Sequence, residues 1–446
     1  MALDRNKITV ARLLKFSYCL LFAFPALPNA LQSIVFGLFL AICLVYFYQN
    51  KQVSFFESKN YAALFFLSAY YIFFLGTYFY PTNYHFSAEY IQPSILLLLC
   101  PLVLLFTSWI QDKKMNKLAV WVLTISSLWS FYLLYEYWVE GIALSYKYYR
   151  SDVDFTDYTH IPDWKYILKS STEFLNSLAE WGFYREGIKI ELNTHHTFLS
   201  AVYTFNVVLI LANINNKTRS YEKIVFLIVC IGLSFIIYFL ESKANIICLL
   251  VILVSSLFYY LYQYLSQTFR YIFGTILLAI VFTGFYYLNK NKNEFIHQIE
   301  SRKLIEPARK KLYSLLYNEV KQKPILGYGA NNVKPLLDSV VKKDSSNYFF
   351  RFNVPTYYQS PHSQVLFSML SGGSVQLGLF LIMFAFLVLV FISKGNIFGL
   401  HLLLIVGVNC VFDDFLNRAW GVYLFLLGII YFWNDFVKNK NEINLL

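Results

Sequence analysis

The chain has 446 residues, of which 58% are hydrophobic, 20% aromatic and only 14% charged, whereas soluble domains carry roughly a quarter charged residues. That balance excludes an ordinary soluble protein and implies an all-α polytopic integral membrane protein. The formal net charge is +11, yet the basic residues sit mainly in short segments between apolar runs and in two long loops, so membrane topology accounts for them better than nucleic acid does.

The start, MALDRNKITVARLLK, is basic and precedes an apolar run containing Pro25 and Pro28. With no small-residue cleavage site in view, it reads as a retained first span rather than a signal peptide. Crossing the hydrocarbon takes about 20 apolar residues. Runs near 13–27, 30–48, 61–80, 92–111 and 117–138 meet or approach that length before the first large loop. Further runs lie near 196–214, 221–240, 244–265, 269–288, 363–393, 397–412 and 419–437, giving about twelve transmembrane helices. The cysteines Cys19, Cys43, Cys100, Cys230, Cys248 and Cys410 all lie inside these runs, without metal-ligand or redox spacing, so neither a disulfide framework nor structural zinc is expected. In the absence of linkers or internal repeats the chain reads as one membrane domain.

With a cytoplasmic N-terminus, the inner connections hold Arg5, Lys7, Arg12, Lys15, Lys51, Lys59, Lys113, Lys114, Lys117, Lys217, Arg219, Lys223, Arg270, Lys394, Lys438 and Lys440. Short outer connections hold only Lys243 and Arg418. This is the asymmetry of the positive-inside rule, from which long loops are exempt. Two long loops, near 139–194 and 289–361, therefore face outward. The first is rich in Tyr, Trp and acids, including Tyr148, Tyr149, Asp152, Trp164 and Trp181. It suits an interfacial aromatic belt or a sugar-stacking surface. The second carries thirteen Lys or Arg residues, an excess that topology does not explain.

Within the second loop, Glu306-Pro307-Ala308-Arg309 opens a helix predicted to run to about Lys321, with Pro in its first turn. Helical spacing puts Arg309 on one face with Leu312, Tyr313, Leu316 and Val320, and puts Lys310 and Lys321 on another. A guanidinium so placed can grip a phosphate or carboxylate bidentately, or lie along apolar surface with its head in water. Ser360-Pro361-His362 reads as a helix start, with Ser as N-cap and Pro in the first turn. That would set His362 in the first turn, where the helix N-terminus favours neutral imidazole and attracts anions. The alternative is a surface histidine at a membrane edge.

From His362 to Ser393 the apolar run is about 31 residues, or about 46 Å as helix, longer than the hydrocarbon is thick. Gly372-Gly373-Ser374 is the expected break, leaving a short helix from Pro361 to about Leu370 near the outer surface. Glu241-Ser242-Lys243 reads as a tight outer hairpin or a charged interruption at the membrane edge. His195 and His196 open a span without a matching cluster and read as structural. Asp413-Asp414-Phe415-Leu416-Asn417-Arg418 joins the last two spans on the same outer side. A carboxylate there could pair with Arg418, Arg309 or Lys243 and form the floor of a site, or belong to a plain charged hairpin.

Three stretches together resemble the O-antigen ligase family of bacterial envelope glycosyltransferases, which includes lipopolysaccharide ligases, polysaccharide polymerases and protein O-glycosyltransferases. They are the Arg309 helix followed by KPILGYG (Lys323 to Gly329), PHSQVLFSMLSGGSVQLGLFL (Pro361 to Leu381) and VFDDFLNRAWGVYLF (Val411 to Phe425). The resemblance implies transfer of a glycan from a polyprenyl-diphosphate carrier to an acceptor hydroxyl, on lipid A-core, glycan or protein. It places this at the outer, periplasmic face of the bacterial inner membrane, without metal or other cofactor. By position, His362 matches the family's loop histidine, as base or orienter of the acceptor hydroxyl, and Arg309 the loop arginine that holds diphosphate. Lys243 stands where relatives commonly have arginine, keeping the charge but losing the fork; Asp414 and Arg418 would support the site. A transporter or flippase of an anionic solute or lipid-linked glycan is the competing class, and would show paired interrupted helices, of which only the one near Gly372 is evident. A non-catalytic assembly protein is the third.

Overall fold

A computed structural model describes residues 2–49, 58–81, 95–98, 113–149, 196–214, 218–240, 242–264, 307–343 and 360–443. Among these residues every regular element is helical and no strand occurs, as the composition implies. Among the described residues four helices are long and apolar enough to cross a membrane: His196–Asn213, Ser220–Tyr238, Lys243–Tyr262 and Gln364–Ser393. Shorter apolar helices cover Leu31–Tyr46, Phe65–Phe79, Ile397–Phe412 and Ala419–Trp433. Of the expected runs, 269–288 lies outside the described residues, as does all of 92–111 except 95–98. The helix Lys113–Tyr149 continues past position 138 into the stretch assigned to the first outer loop, and the rest of that loop up to 195 is outside the described residues.

Two compact units divide the chain. The first comprises Met1–Phe55, Val103–Asn245 and Tyr423–Leu446. Its centre is the helix His196–Asn213, in which every residue from Phe198 to Ile210 is buried. Polar side chains there find partners: Thr124 Oγ1 donates to Asn206 Oδ1 at 3.2 Å, Asn206 Nδ2 donates to Ser127 Oγ at 3.3 Å, and Ser130 and Tyr203 share a hydroxyl bond of 2.9 Å. Such pairing is what makes a buried polar residue tolerable inside an apolar bundle.

The second unit comprises Phe56–Leu102 and Ile246–Val422. Here α1 (Ser58–Gly76), α2 (Pro307–Gln322), α3 (Ala330–Lys343), α4 (Gln364–Ser393) and α5 (Ile397–Phe412) pack together. Phe74, Tyr78, Leu312, Leu316, Val320, Val333, Leu337, Phe367 and Leu370 form one buried cluster. Thus α2 and α3, from the basic outer stretch, are fastened by their apolar faces to α4, while Lys310 and Lys321 stay exposed on the opposite face, as the spacing predicts.

The predicted break is present: Gly373 has φ 65 and ψ −157 inside α4. A helix interrupted there leaves carbonyls unpaired before the break and amides unpaired after it. The KPILGYG stretch supplies both sets. Tyr328 N and Gly329 N donate to the carbonyls of Leu370 and Ser371 at 2.6 and 2.8 Å, and Ser374 N and Val375 N donate to those of Pro324 and Ile325 at 2.8 and 3.3 Å. Glycine is needed on both sides of this contact, because a Cβ on Gly373 would lie 2.2 Å from the Ile325 carbonyl and one on Gly327 2.6 Å from that of Leu370.

The break also bends α4. Tyr70 sets its ring, tilted, with its centroid 5.5 Å from that of Phe380 and accepts at its hydroxyl from Gln364 Nε2 at 3.0 Å. In a straight helix those two positions, 16 apart, would stand about 24 Å from each other, beyond the reach of one tyrosine. The first half of α4 therefore turns aside at Gly373 instead of prolonging the span, and carries the preceding residues to the end of α5.

Candidate functional site

Four of the five sequence-predicted site residues converge where the start of α4 meets the end of α5. The start itself differs from expectation. Ser363, not Ser360, is the N-cap of α4, in extended conformation (φ −164, ψ 123), with its side chain accepting from Leu366 N at 3.4 Å. Ser360 Oγ instead accepts from His362 N at 3.1 Å, a tight side-chain turn. His362 has φ 50, which the interior of a right-handed helix does not allow. It thus sits just outside the helix rather than in its first turn.

Asp414 is one charged neighbour of the His362 ring. Its carboxylate is fully buried, with Arg418 Nε 3.3 Å from Oδ2, and neither carboxylate oxygen makes a well-directed hydrogen bond among the described residues. Burial alone would push its pKa up, but the Arg418 guanidinium, the adjacent Asp413, the His362 ring and the Ser360 hydroxyl together outweigh this and hold it below the usual carboxylate range. Asp413, also buried, is driven well above that range by burial first and then by Asp414, with Arg309 and Arg418 opposing. The opposite shifts favour the proton of the pair on Asp413 over Asp414. The Asp413 Oδ1 atom accepts from Asp414 N at 2.9 Å, which fixes the pair's geometry.

Arg309 lies in the first turns of α2, half-buried, and its Nη1 donates to the Phe412 carbonyl at 3.2 Å, at the last residue of α5. One turn along the same face, the Tyr313 hydroxyl donates to the His362 carbonyl at 2.6 Å. The helix expected from Arg309 onward therefore delivers two side chains to the site. Beyond it, Lys243 is the exposed first residue of the helix Lys243–Tyr264, and it belongs to the first unit. The hairpin reading of its surroundings fits Leu240, where the preceding helix ends, and Ser242, whose Oγ accepts from Asn245 Nδ2 at 2.8 Å. His196 opens the helix His196–Asn213, as expected, and His195 is outside the described residues.

One residue that the sequence did not single out holds the arrangement together. Gln364 is fully buried, and all its polar groups are engaged. Its backbone N donates to the Asp413 carbonyl at 2.9 Å, Nε2 donates to Tyr70 Oη at 3.0 Å and Asn417 Oδ1 at 3.2 Å, and Oε1 accepts from Leu416 N at 3.1 Å. These bonds pin the Asp413–Arg418 turn to the start of α4, and so to His362. No local signal marks Gln364, because every partner is distant in sequence. Among the described residues no group of three or more His, Cys, Asp or Glu side chains gathers as for a metal ion.

The result is a compact set of one histidine, one ionised carboxylate and two guanidiniums at one end of α4 and α5. Chemically it can take a proton at the imidazole, support the resulting imidazolium with Asp414, and meet a polyanion with Arg309 and Arg418. Residues 226–382 match the family model described as O-antigen ligase, supporting that family for this chain; the matched span takes in Lys243, Arg309 and His362 and ends before Asp413. No curated protein matches the chain.

Proposed function

We propose that this chain belongs to the O-antigen ligase family and transfers a glycan from a polyprenyl-diphosphate carrier to an acceptor hydroxyl, with the site on the periplasmic side of the bacterial inner membrane. The family match supports a membrane glycosyltransferase of ligase or polymerase type. One observation carries the finer reading: a histidine beside a buried, ionised aspartate, with two arginines at the same turn.

In this reading the acceptor oxygen attacks the anomeric carbon of the carrier-linked sugar as the bond from that carbon to the diphosphate oxygen breaks. The electron pair of the broken bond leaves with the diphosphate, and the acceptor's proton passes to the His362 ring. Asp414 supports the imidazolium so formed. Arg309 and Arg418 balance the growing charge on the leaving diphosphate, a stabilisation that preorganised cations supply most effectively in a site shielded from water. Lys243, exposed at the start of its helix, would add attraction for the donor without the directed fork of an arginine.

The test is a deletion strain complemented with wild type, His362→Ala or Arg309→Ala, with profiling of lipopolysaccharide, glycoproteins and lipid-linked glycans together. Unattached or single-unit glycan in the deletion, and failure of both variants at normal membrane levels, is the expected outcome. The accumulating species separates a ligase acting on lipid A-core from a polymerase or a protein O-oligosaccharyltransferase. Full rescue by both variants would overturn the assignment and direct attention to transport of a lipid-linked glycan.

A further inference from the structure

The turn Pro324–Leu326 lies in a stretch that the sequence assigns to an aqueous outer loop, yet it exposes two large apolar side chains, Ile325 at 64% and Leu326 at 53%. Nearby Tyr317 is 56% exposed. Lys321 and Lys323 flank the turn, with Lys321 Nζ 4.5 Å from the centroid of the Tyr317 ring and Lys323 Nζ 4.7 Å from that of Tyr328. Two hydrogen bonds fix where this turn sits, since Ser374 N and Val375 N donate to the Pro324 and Ile325 carbonyls. The turn is thus seated on the first residues after the break in α4.

From Ser374 to Ser393 that second half of α4 is apolar and about 30 Å long, the thickness of a bilayer's hydrocarbon core. Its exposed side includes Val375, Ile382 and Leu389 at 37%, 48% and 67%. These positions recur every seven residues and so form one stripe along the helix. Ile325, exposed and bonded through its carbonyl to Val375 N, lies beside the first residue of the stripe, past the end of the helix. Lys394 closes the stripe at the other end, and Lys321 and Lys323 close it at this one.

From this continuity we infer that the Lys321–Leu326 turn docks on the bilayer that the chain spans, with Ile325 and Leu326 entering the outer edge of the hydrocarbon and Lys321 and Lys323 meeting lipid phosphates. Aliphatic side chains in an apolar edge, with lysine amines reaching back to the headgroups, suit that boundary. Part of the positive charge of the second outer loop thereby finds an anionic partner. The inference is independent of the substrate the chain serves.

The test uses the full chain in lipid nanodiscs, with Ile325→Cys, Leu326→Cys and Asp338→Cys each carrying a fluorescent label. Wild type taken through the same labelling gives the background from native cysteines. Asp338 is exposed on α3 and serves as the aqueous reference. Labels at 325 and 326 are expected to be quenched several-fold more by a nitroxide on a shallow acyl position than by aqueous acrylamide, with the reverse order at 338. Equal acrylamide quenching at all three positions would overturn the docking. In phosphatidylglycerol nanodiscs, the double variant Lys321→Glu, Lys323→Glu should lose most of the lipid quenching at 325; unchanged quenching would overturn the role given to the lysines.

Discussion

The Tyr313 hydroxyl donates a 2.6 Å hydrogen bond to the backbone carbonyl of His362, tying the helix that carries Arg309 to the turn that carries the histidine. Burial pushes the phenol up to about 12, with Arg309 opposing, so the group remains a donor throughout the neutral range. Tyr313→Phe keeps the packing and removes the bond. It should cost about 1 kcal/mol of stability and slow glycan transfer several-fold at unchanged membrane level. A single-turnover transfer assay at wild-type rate would show that the tether does not position the histidine.

Asp413 and Asp414 are adjacent but should respond oppositely to replacement by asparagine. Asp413 has a raised folded pKa: as pH rises past the unfolded carboxylate value of about 4, the unfolded chain ionises there first, so this group opposes folding. Asp413→Asn preserves the neutral form and its acceptor oxygen, and should match or exceed wild type in melting temperature at pH 7, with the difference closing towards pH 4. Asp414 has a lowered folded pKa, so its stabilisation is present above about pH 4 and is lost as pH falls through the folded value. Asp414→Asn should therefore be less stable at pH 7, by about 1–3 kcal/mol, with the gap narrowing in acid. Melting curves of both variants across pH read the difference; an equal loss in the two would contradict the proton assignment.

Gly373 and Gly378 lie in the same helix but not in the same situation. A Cβ at Gly373 meets the Ile325 backbone at 2.2 Å on a positive-φ residue, whereas one at Gly378 has nothing within 4 Å. Gly373→Ala is expected to reduce folded protein in the membrane severely, as measured by detergent-extracted yield and melting temperature. Gly378→Ala should be neutral or stabilising by up to about 1 kcal/mol.

Arg309 and Lys310 are adjacent cations with different surroundings. Arg309→Lys keeps the charge but loses the planar fork now directed at the Phe412 carbonyl, and should lower transfer about tenfold or more. Lys310→Gln, on the exposed face, should stay close to wild type. If both variants reduce transfer equally, overall loop charge rather than directed contact is what matters.

Much of this arrangement is legible in the amino-acid sequence. The helix beginning at Pro307, its apolar face and the break at Gly372–Ser374 follow from spacing and glycine content, because those are local properties of the chain. The pairing of Asp414 with Arg418 is one of three that the sequence leaves open for a carboxylate of this turn, beside Arg309 and Lys243. What the sequence does not reveal is decided by distant partners. Ser363 caps α4 in place of Ser360 because the Asp413 carbonyl is there to take the Gln364 amide. The importance of Gln364 is visible only once Tyr70, Leu416 and Asn417 surround it, and the proton on Asp413 depends on burial that no sequence pattern reports. KPILGYG, a weak motif by itself, gains its meaning from a helix interruption further along the chain.

That last relationship bears on biosynthesis. Pro324, Ile325, Tyr328 and Gly329 emerge from the ribosome well before Leu370, Ser371, Ser374 and Val375, to which they are bonded. Until the following span has been inserted, this segment has no template for its shape. Its maturation must therefore wait for a later insertion event, and a chain truncated between the two stretches would deliver the Arg309 helix without the surface that holds it.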